Sequence, residues 1–308
     1  MSEVSVVILF GKGRSIDALE RAVASVGCQT SPPFETLVVL NGATQPPLDA
    51  SAIVSKACRF VAAPDDVGCA AGRNIGARAA LGSILLFVDD DGELGPRAVE
   101  TVEVAFDEHP EVAAFAGRVL RPEARGSEDM QQGSVDGSVL RFSGGCFSIR
   151  RDVFVDEGGY WDDPLALGTP SATRGEEYHL AIKLFRRRQR VALLPGLVLY
   201  HPARPHEAAE LRVASTAGLA RTFFESYPLP AAIVGVAYKV VRDSVLLAAR
   251  REARTACRIP RRLMPEIRIG LRRRDAMSWS EFRRVRQLDR AAPPVVGPSK
   301  RFEPNPAS

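Results

Sequence analysis

The sequence predicts an α/β fold built on a mainly parallel sheet. Short apolar runs rich in β-branched side chains alternate, along residues 4–120, with segments whose apolar residues repeat at helical spacing. A run that is apolar at every position is typical of a strand buried on both faces, and connecting helices cover those faces. Polar residues directly follow several runs, and ligands bind beyond the carboxyl ends of strands in such sheets.

Strands and helices alternate through the first part of the chain. Val4–Phe10 predicts the first strand, and Ser15 is suited to cap a helix that begins at Ile16. Further strands are predicted at Glu35–Leu40, Cys58–Ala62, Ser83–Val88 and Val112–Val119, and further helices at Ala70–Leu81 and from Pro96 to Glu108. This alternation, with right-handed crossovers, produces a parallel sheet flanked by helices.

The middle of the chain has fewer regular segments. The elements predicted there are two strands within Val139–Arg150, a helix at Glu176–Arg188, and short strands at Val191–Leu194 and Leu197–Tyr200. Gly144-Gly145 is expected to separate the first two strands, and Pro195-Gly196 the last two.

Composition excludes several classes of protein. The chain has 308 residues, of which 45% are apolar and 25% charged, which is ordinary for a globular protein and argues against a disordered or fibrous one. No apolar run predicts a transmembrane helix, and the N-terminus lacks the basic segment of a signal peptide. The five cysteines are widely spaced, which argues against a disulfide framework or a zinc site. We therefore expect a cytoplasmic protein with reduced thiols.

Asp89-Asp90-Asp91, directly after the predicted strand Ser83–Val88, is the sharpest chemical signal. Adjacent carboxylates repel one another, and a divalent cation relieves that repulsion. Mg²⁺ and Mn²⁺ bind carboxylate oxygens and often share their remaining positions with substrate phosphates. Asp89 and Asp91 point the same way in an extended segment, so both can address one cation. A solvated acidic turn is the alternative.

Three further signals are weaker. Glu176-Glu177 opens a helix, where the helix dipole favours acids, and a general base is the functional alternative. His201 is either a metal or phosphate ligand or a structural histidine. Gly68–Gly76 resembles a phosphate-binding glycine loop without matching a standard pattern, so a tightly packed small-residue helix is its alternative.

Five segments occur in a distinctive order between Val4 and Pro202. They are VSVVILF, FETLVVLNGA, DDVGCAAGRNIGARAALGSILLFVDDD, FSGGCFSIRRDVF and GEEYHLAIKLFRRRQRVALLPGLVLYHP. Their order and spacing resemble family 2 glycosyltransferases with the GT-A fold. The resemblance implies a Rossmann-like, mainly parallel mixed sheet flanked by helices. It also implies a nucleotide-sugar donor, a divalent metal cofactor (Mn²⁺ or Mg²⁺) and inversion of the anomeric centre by direct displacement.

The resemblance assigns a metal site and a base. Asp89 and Asp91 match the D-x-D positions, with Asp91 the main metal ligand and Asp89 nearer the ribose, and His201 matches a late histidine that completes the metal or diphosphate contacts. The metal stabilises charge on the leaving diphosphate. Glu177 falls on the family's aspartate base, next to Glu176, and takes the proton of the acceptor hydroxyl.

The resemblance also implies a set of contacts to the nucleotide-sugar. The expected contacts are Asn41, Asp66, Arg73, Asn74, Asp89, Asp90, Gly144 and Gly145. Arg73 and Asn74 match the family's R-N pair, and Gly144-Gly145 matches the small-residue segment that lines the donor pocket. Leu40 departs from the pattern, because the family commonly has an acid there that contacts the base.

Charge divides the chain. Residues 1–230 carry a net charge of −7 and residues 231–308 a net charge of +11. With the resemblance, we expect a GT-A catalytic domain at 1–230, whose nucleotide-binding half is about 1–120 and whose acceptor half is about 121–230. A basic amphipathic helical extension is expected at 231–290 and a disordered tail at 291–308.

The basic extension suggests a partner. Residues 231–274 are suited to lie on an anionic membrane surface, or alternatively to pack on the domain with a solvated basic face. The membrane alternative places the protein on the inner face of the membrane. Nucleic acid is not expected as a partner, because the extension has few aromatic side chains for base stacking.

The sequence thus predicts a metal-assisted inverting hexosyltransferase that acts on a lipid-linked, polysaccharide, cell-envelope or small-molecule acceptor. Two alternatives stay open. A degenerate GT-A protein would bind a nucleotide-sugar or glycan without turnover, and Leu40 favours it. A nucleotidyltransferase would use the same sheet and acids, but Gly11–Arg14 is a poor candidate for its basic loop.

Overall fold

The protein is described here from a computed structural model, covering residues 2–45, 57–126, 136–160, 175–202, 208–249 and 252–291. The strands are β1 Val4–Gly11, β2 Glu35–Asn41, β3 Arg59–Ala63, β4 Ile84–Asp89, β5 Glu93–Leu94, β6 Val112–Leu120, β7 Asp136–Ser138, β8 Cys146–Arg150 and β9 Arg190–Tyr200. The helices are α1 Ile16–Gly27, α2 Gly68–Ala79, α3 Ala98–Glu108, α4 Arg151–Asp156, α5 Glu176–Arg186, α6 Ala208–Ser226, α7 Leu229–Ala249, α8 Ala253–Ala256, α9 Ile259–Arg272 and α10 Trp279–Ala291. The predicted α/β class is confirmed.

All nine strands belong to one mixed sheet. Its order is β3-β2-β1-β4-β8-β6-β9-β5, with β7 paired to β9. The first four strands in this order are parallel, as are β6 and β9. Antiparallel β8 joins the two groups, because it pairs with β4 on one side and with β6 on the other. The carboxyl ends of β1, β2 and β4 therefore meet at one edge, which is where the candidate site forms.

Helices cover both faces of the sheet, and alternate side chains of the central strands contact different helices. Val6 and Ile8 of β1 belong to the core beneath α1 and α3, whereas Val7 belongs to the core shared by α2, α5 and the C-terminal helices. This alternation explains why the strand sequences are apolar at almost every position. At the start of α1, Ser15 accepts a hydrogen bond from the backbone N–H of Ala18 at 3.4 Å, as the sequence predicts.

Helix α2 packs very closely on the sheet because its inner residues are glycines. A Cβ atom at Gly72 would lie 2.4 Å from Leu9 Cδ1, and one at Gly76 would lie 2.5 Å from Val7 Cγ1. The tightly packed small-residue helix considered for Gly68–Gly76 therefore describes this segment. The side chain of Arg73, in the middle of α2, reaches Asp89 at the end of β4.

Two strand predictions are wrong. Residues Val191–Tyr200 form part of one strand, β9, and not two strands around Pro195-Gly196. The pairing of β9 with β6 shifts register between Ala116 and Arg118, so the strand accommodates the proline with an irregularity and then continues. Within Val139–Arg150 only β8 forms, and the additional strand, β7, lies just before that segment.

The C-terminal helices form a layer that begins before residue 230. Helix α6 packs against α9 and α7, and α7 also contacts α8. The first part of the helical extension predicted at 231–290 corresponds to α7. The domain boundaries stay a prediction, and residues 292–308 of the predicted tail lie outside the described residues. Among the described helices, not one is long and apolar enough to cross a membrane.

Candidate functional site

Two aspartates and a histidine converge at the carboxyl end of β4. Ligand atoms of Asp89, Asp91 and His201 all lie within 4.8 Å of one another. His201 Nε2 lies 3.0 Å from Asp91 Oδ1 and 3.7 Å from Asp89 Oδ2. Strand β5, which follows the turn after β4, pairs antiparallel with the end of β9. This pairing places His201, the residue after β9, beside that turn. The three residues named from the sequence as metal ligands are therefore adjacent in the structure.

The chemistry of this donor set fits a divalent cation. Two carboxylate oxygens suit Mg²⁺ and Mn²⁺, and the imidazole nitrogen is a ligand more typical of transition metals, which favours Mn²⁺. His201 Nδ1–H donates to the carbonyl of Pro202 at 2.8 Å and so directs Nε2 toward the aspartates. Burial opposes protonation of His201, but the hydrogen bond and charge of Asp91, with that of Asp89, raise its pKa above the usual value.

Asp90 is bound to an arginine from another loop. Arg14 Nη2 donates to Asp90 Oδ1 at 2.7 Å, and Arg14 Nε donates to Asp90 Oδ2 at 3.0 Å. The same guanidinium lies 3.0 Å from Asp91 Oδ2. From the sequence, Arg14 is noted only as part of Gly11–Arg14, a poor candidate for the basic loop of a nucleotidyltransferase. Its bidentate pairing fixes the aspartate turn against the loop that follows β1.

Arg73 connects the aspartates to the start of α5. Its side chain is 9% exposed, and Nη2 lies 3.1 Å from Asp89 Oδ1. Nη1 lies 3.5 Å from Glu176 Oε1 and 3.7 Å from Glu177 Oε1. The guanidinium carbon is 5.8 Å from the ring centroid of Tyr160. One buried cation thus bridges the expected metal site and the expected base.

The glycine pair before β8 allows a close approach to these charged groups. A Cβ atom at Gly145 would lie 2.1 Å from Asp89 Cγ. A Cβ atom at Gly144 would lie 2.3 Å from Arg73 Nη1 and 2.7 Å from Glu177 Oε1. Any side chain at either position would therefore displace the charged groups, which gives a physical reason for two successive glycines here.

The two glutamates of α5 differ in environment. Glu176 is buried, and its Oε2 accepts a hydrogen bond from the backbone N–H of Gly175 at 2.9 Å. Burial, and then the neighbouring Glu177 carboxylate, raise the pKa of Glu176 to about 7. The side chain of Glu177 is 25% exposed. Of the two carboxylates, Glu177 is therefore the more accessible to a substrate.

The residues expected on the nucleotide side also bind to one another. Asn41 Nδ2 donates to Asp66 Oδ1 at 2.8 Å, and Asn41 Oδ1 accepts from the backbone N–H of Val67 at 2.9 Å. Asn74 Nδ2 donates to the carbonyl of Tyr160 at 2.9 Å, and Asn74 Oδ1 accepts from the Tyr160 N–H at 3.0 Å. These bonds fix the residue before α2 and the middle of α2, and donor contacts by these residues stay predictions.

Leu40, the departure from the family pattern, lies in the core. Its side chain is 1% exposed and belongs to the apolar cluster that also contains Ile8 of β1 and Val38 of β2. An acid at this position would be buried among apolar side chains. The residue that follows, Asn41, is the polar group nearest in sequence at the end of β2.

The site as a whole carries an excess of negative charge. The carboxylates of the aspartate turn and of the first turn of α5 share two guanidinium groups, those of Arg14 and Arg73. Such an excess favours the binding of a cation at the aspartate end. The more exposed carboxylate, Glu177, lies at the other end of the Arg73 bridge, where it can accept a proton.

Comparisons with known proteins bear on the family and the fold of this chain. The model of the family described as glycosyl transferase family 2 matches residues 5–158. A glucosyl-dolichyl phosphate glucuronosyltransferase from Haloferax volcanii is 25% identical over an alignment of 178 residues, gaps included, that covers 51% of this chain and 56% of that protein. The match thus spans little more than half the length of this relative.

Solved structures show the same fold at low identity. The mannosyltransferase PcManGT from Pyrobaculum calidifontis, in complex with GDP-Man and Mn²⁺, has a TM-score of 0.55 and 18% identity, covering 88% of this chain and 87% of that one. S. aureus TarS 1–349, in complex with UDP-GlcNAc, has a TM-score of 0.56 and 16% identity, covering 86% and 72%. GalNAc-T7 with UDP, GalNAc and Mn²⁺ has a TM-score of 0.53 and 16% identity, covering 67% and 45%. The fold is of the GT-A type.

Proposed function

The chain belongs to glycosyl transferase family 2, and we propose that it transfers a sugar from a nucleotide-sugar to an acceptor hydroxyl with inversion at the anomeric carbon. The observation that carries the proposal is the bridge from the Asp89–Asp91–His201 cluster through Arg73 to Glu177. It supports transfer because a diphosphate site and a base must lie on opposite sides of one sugar. The nucleotide-sugars bound in two similar structures, GDP-Man and UDP-GlcNAc, are consistent with this donor class.

The donor end consists of Asp89, Asp91 and His201, which would hold Mn²⁺, or Mg²⁺ as the second choice. A divalent cation bound there supplies Lewis-acid stabilisation of the charge on the leaving diphosphate. Arg14 holds the aspartate turn in place by its bonds to Asp90. Asn41 at the end of β2 is bonded to Asp66 in the loop between β3 and α2, on the side where the nucleoside would bind in this architecture.

Glu177 acts as the general base at the acceptor end. Its carboxylate takes the proton of the acceptor hydroxyl while that oxygen bonds to the anomeric carbon. The bond from the anomeric carbon to the diphosphate oxygen breaks in the same step, and its electron pair leaves with the diphosphate. Glu176 is a positioning residue, because it is buried beside Arg73 and bonded to the backbone of Gly175.

The acceptor is a lipid-linked or other cell-envelope glycan. The name of the Haloferax volcanii relative includes glucosyl-dolichyl phosphate, which is a lipid-linked sugar. The net charge of +11 over residues 231–308 supports contact with an anionic membrane surface on the cytoplasmic side. Both observations are consistent with an acceptor held at a membrane.

A binding protein without turnover is the second candidate function. The burial of Leu40 favours it, because this position offers no polar group to the nucleoside base. The two candidates differ in one measurable property, the release of nucleoside diphosphate from a donor. The presence of the Asp89–Asp91–His201 cluster, with Glu177 joined to it through Arg73, favours the enzyme.

Thermal unfolding with a panel of UDP- and GDP-sugars, with and without Mn²⁺, tests the proposal. A ligand that binds the native state raises the melting temperature by mass action. We expect one nucleotide class to raise it only when Mn²⁺ is present, and the Asp91→Asn variant to lose that shift. A melting temperature unchanged by every donor in well-folded protein would overturn the proposal. Binding of a donor without release of nucleoside diphosphate would favour the second candidate.

A further inference from the structure

Helix α7 exposes an apolar face. Fourteen large apolar side chains lie exposed among the described residues, and seven of them are on this one helix. These seven are Leu229, Ile233, Val234, Tyr238, Val241, Val245 and Leu246. Val234 is 68% exposed, Tyr238 66%, Val241 63% and Val245 61%. Single exposed apolar residues are ordinary on a protein surface, but a continuous stripe marks an interaction site.

Four of these exposed residues form one stripe along the helix. The spacing of Val234, Tyr238, Val241 and Val245 is four, three and four residues, which places them on one side of an α-helix. Arg242 is the charged residue that borders the stripe. From Val234 to Val245 the stripe runs for about 17 Å along the axis of this 21-residue helix.

The opposite face of α7 is fixed to the body of the protein. Ala232, Val236 and Leu247 are buried on that side. Asp243 is fully buried there, where it accepts a hydrogen bond from Thr216 of α6 at 2.7 Å and pairs with Lys239. The orientation of the helix is therefore set by its inner face, and the apolar stripe must point away from the sheet.

Charge decides between the occupants that such a stripe would suit. The segment 231–308 carries a net charge of +11, and exposed arginines such as Arg254, Arg258 and Arg261 follow the stripe along the chain. A second copy of this chain would bring two such segments together, and their like charges would repel. An anionic lipid surface attracts the arginines while the apolar side chains enter the boundary of the acyl chains.

We propose that the outward face of α7 lies flat on an anionic lipid surface, with its apolar stripe inserted and the following arginines on the headgroups. The purpose of this lipid binding rests on the proposed function, because a lipid-linked acceptor would then lie on the surface that the protein occupies. The binding itself needs neither donor nor transfer.

Flotation of the full chain with vesicles tests the proposal. The vesicles are phosphatidylcholine alone, or phosphatidylcholine with phosphatidylglycerol. We expect binding to the phosphatidylglycerol vesicles that weakens as salt is added. The double variant Val234→Asp/Val241→Asp should bind at least about tenfold more weakly, because two charges replace inserted side chains. Val104→Asp is the matched control, since that valine is 48% exposed on α3 and should leave binding unchanged.

A second variant and a second measurement complete the design. Tyr238→Ser removes an exposed side chain without adding charge, and it should also weaken vesicle binding. This variant keeps the test valid if the two aspartates of the double variant unfold α7. Equal binding by wild type and both α7 variants would overturn the proposal, as would no binding by wild type. A wild-type dimer in light scattering that the α7 variants dissociate would assign the stripe to a second copy and also overturn it.

The proposed function is tested separately in the same preparation. Wild-type protein that gives a Mn²⁺-dependent shift with a nucleotide-sugar but does not bind vesicles refutes lipid docking alone. Wild-type protein that binds vesicles but gives no shift with any donor refutes the proposed transfer alone.

Discussion

The carboxyl end of β4 and the C-terminal helical layer both contain buried charged groups, but the excess charge is negative in the first region and positive in the second. At the end of β4, several carboxylates share Arg14 and Arg73. Between α6 and α7, the single carboxylate of Asp243 is shared by Arg212, Lys239 and Arg242. In the first region the carboxylates outnumber the cationic side chains, whereas in the second three cationic side chains pair with one carboxylate.

This difference indicates different tasks. A region with unneutralised carboxylates is costly to hold together unless a cation binds, so its residues are expected to affect ligand binding and turnover more than folding. A buried carboxylate with several cations joins two helices, so its loss is expected to affect folding. The predictions below separate these two expectations, in order of decreasing effect.

Glu177→Gln should have the largest effect, and on turnover alone. The glutamine keeps the size of the side chain but cannot take the acceptor proton, so donor turnover should fall about 10²–10⁴-fold. Release of nucleoside diphosphate measures turnover, and thermal unfolding with donor and Mn²⁺ should still show binding. Unchanged turnover would remove Glu177 as the base.

Asp243→Ala should destabilise the fold by about 3 kcal/mol, because it removes a fully buried carboxylate that pairs with Arg212, Lys239 and Arg242. Urea unfolding measures the change. Asp275→Ala is the matched control: this aspartate also pairs with an arginine, Arg186, but its side chain is 77% exposed, so the loss should stay below about 1 kcal/mol. Similar losses in the two variants would contradict the structural role of the buried cluster.

Glu176→Gln should change how stability depends on pH. The folded-state pKa of Glu176 is raised from 4.5 to about 7, so the folded protein binds this proton more tightly than the unfolded chain. Its contribution is favourable below the lower value and is lost as the pH rises to the upper one. As the pH rises between these two values, the melting temperature of the variant should therefore increase relative to that of wild type. A difference between the two melting temperatures that does not vary with pH would contradict this.

Val241→Ala should have the smallest effect on stability. The side chain is 63% exposed on the outward face of α7, so the free energy of unfolding should change by no more than about 0.5 kcal/mol. Leu247→Ala, on the inward face of the same helix and 1% exposed, should cost about 2 kcal/mol or more. Equal losses in urea unfolding would mean that the outward face is covered by the protein itself.

The sequence predicts the parts of this molecule whose pattern is local. The strands β1, β2 and β4 are apolar at almost every position because helices cover both faces of the sheet, and this is visible in the sequence. Helix α6 is not predicted, because it packs against both α7 and α9 and so lacks a single apolar side. Its buried polar residues, among them Thr216 and Arg221, hide the pattern further.

The candidate site was likewise predictable only where its residues belong to a local sequence pattern. Asp89, Asp91 and His201 follow strands and match a family pattern, and the structure brings them together. The pairing of Arg14 with Asp90 was not predictable, because it depends on how the loop after β1 folds against the turn after β4. The bridge by Arg73 likewise depends on the close packing of α2, which only the three-dimensional positions of Gly72 and Gly76 explain.

The central claim is that the Asp89–Asp91–His201 cluster holds a divalent cation used in donor binding. Titration of Mn²⁺ followed by electron paramagnetic resonance, with UDP or GDP present, tests it in wild type, Asp91→Asn and Glu177→Gln. The account predicts that wild type and Glu177→Gln bind Mn²⁺ with similar affinity, and that Asp91→Asn loses most of that binding. Equal Mn²⁺ binding by Asp91→Asn and wild type would contradict it.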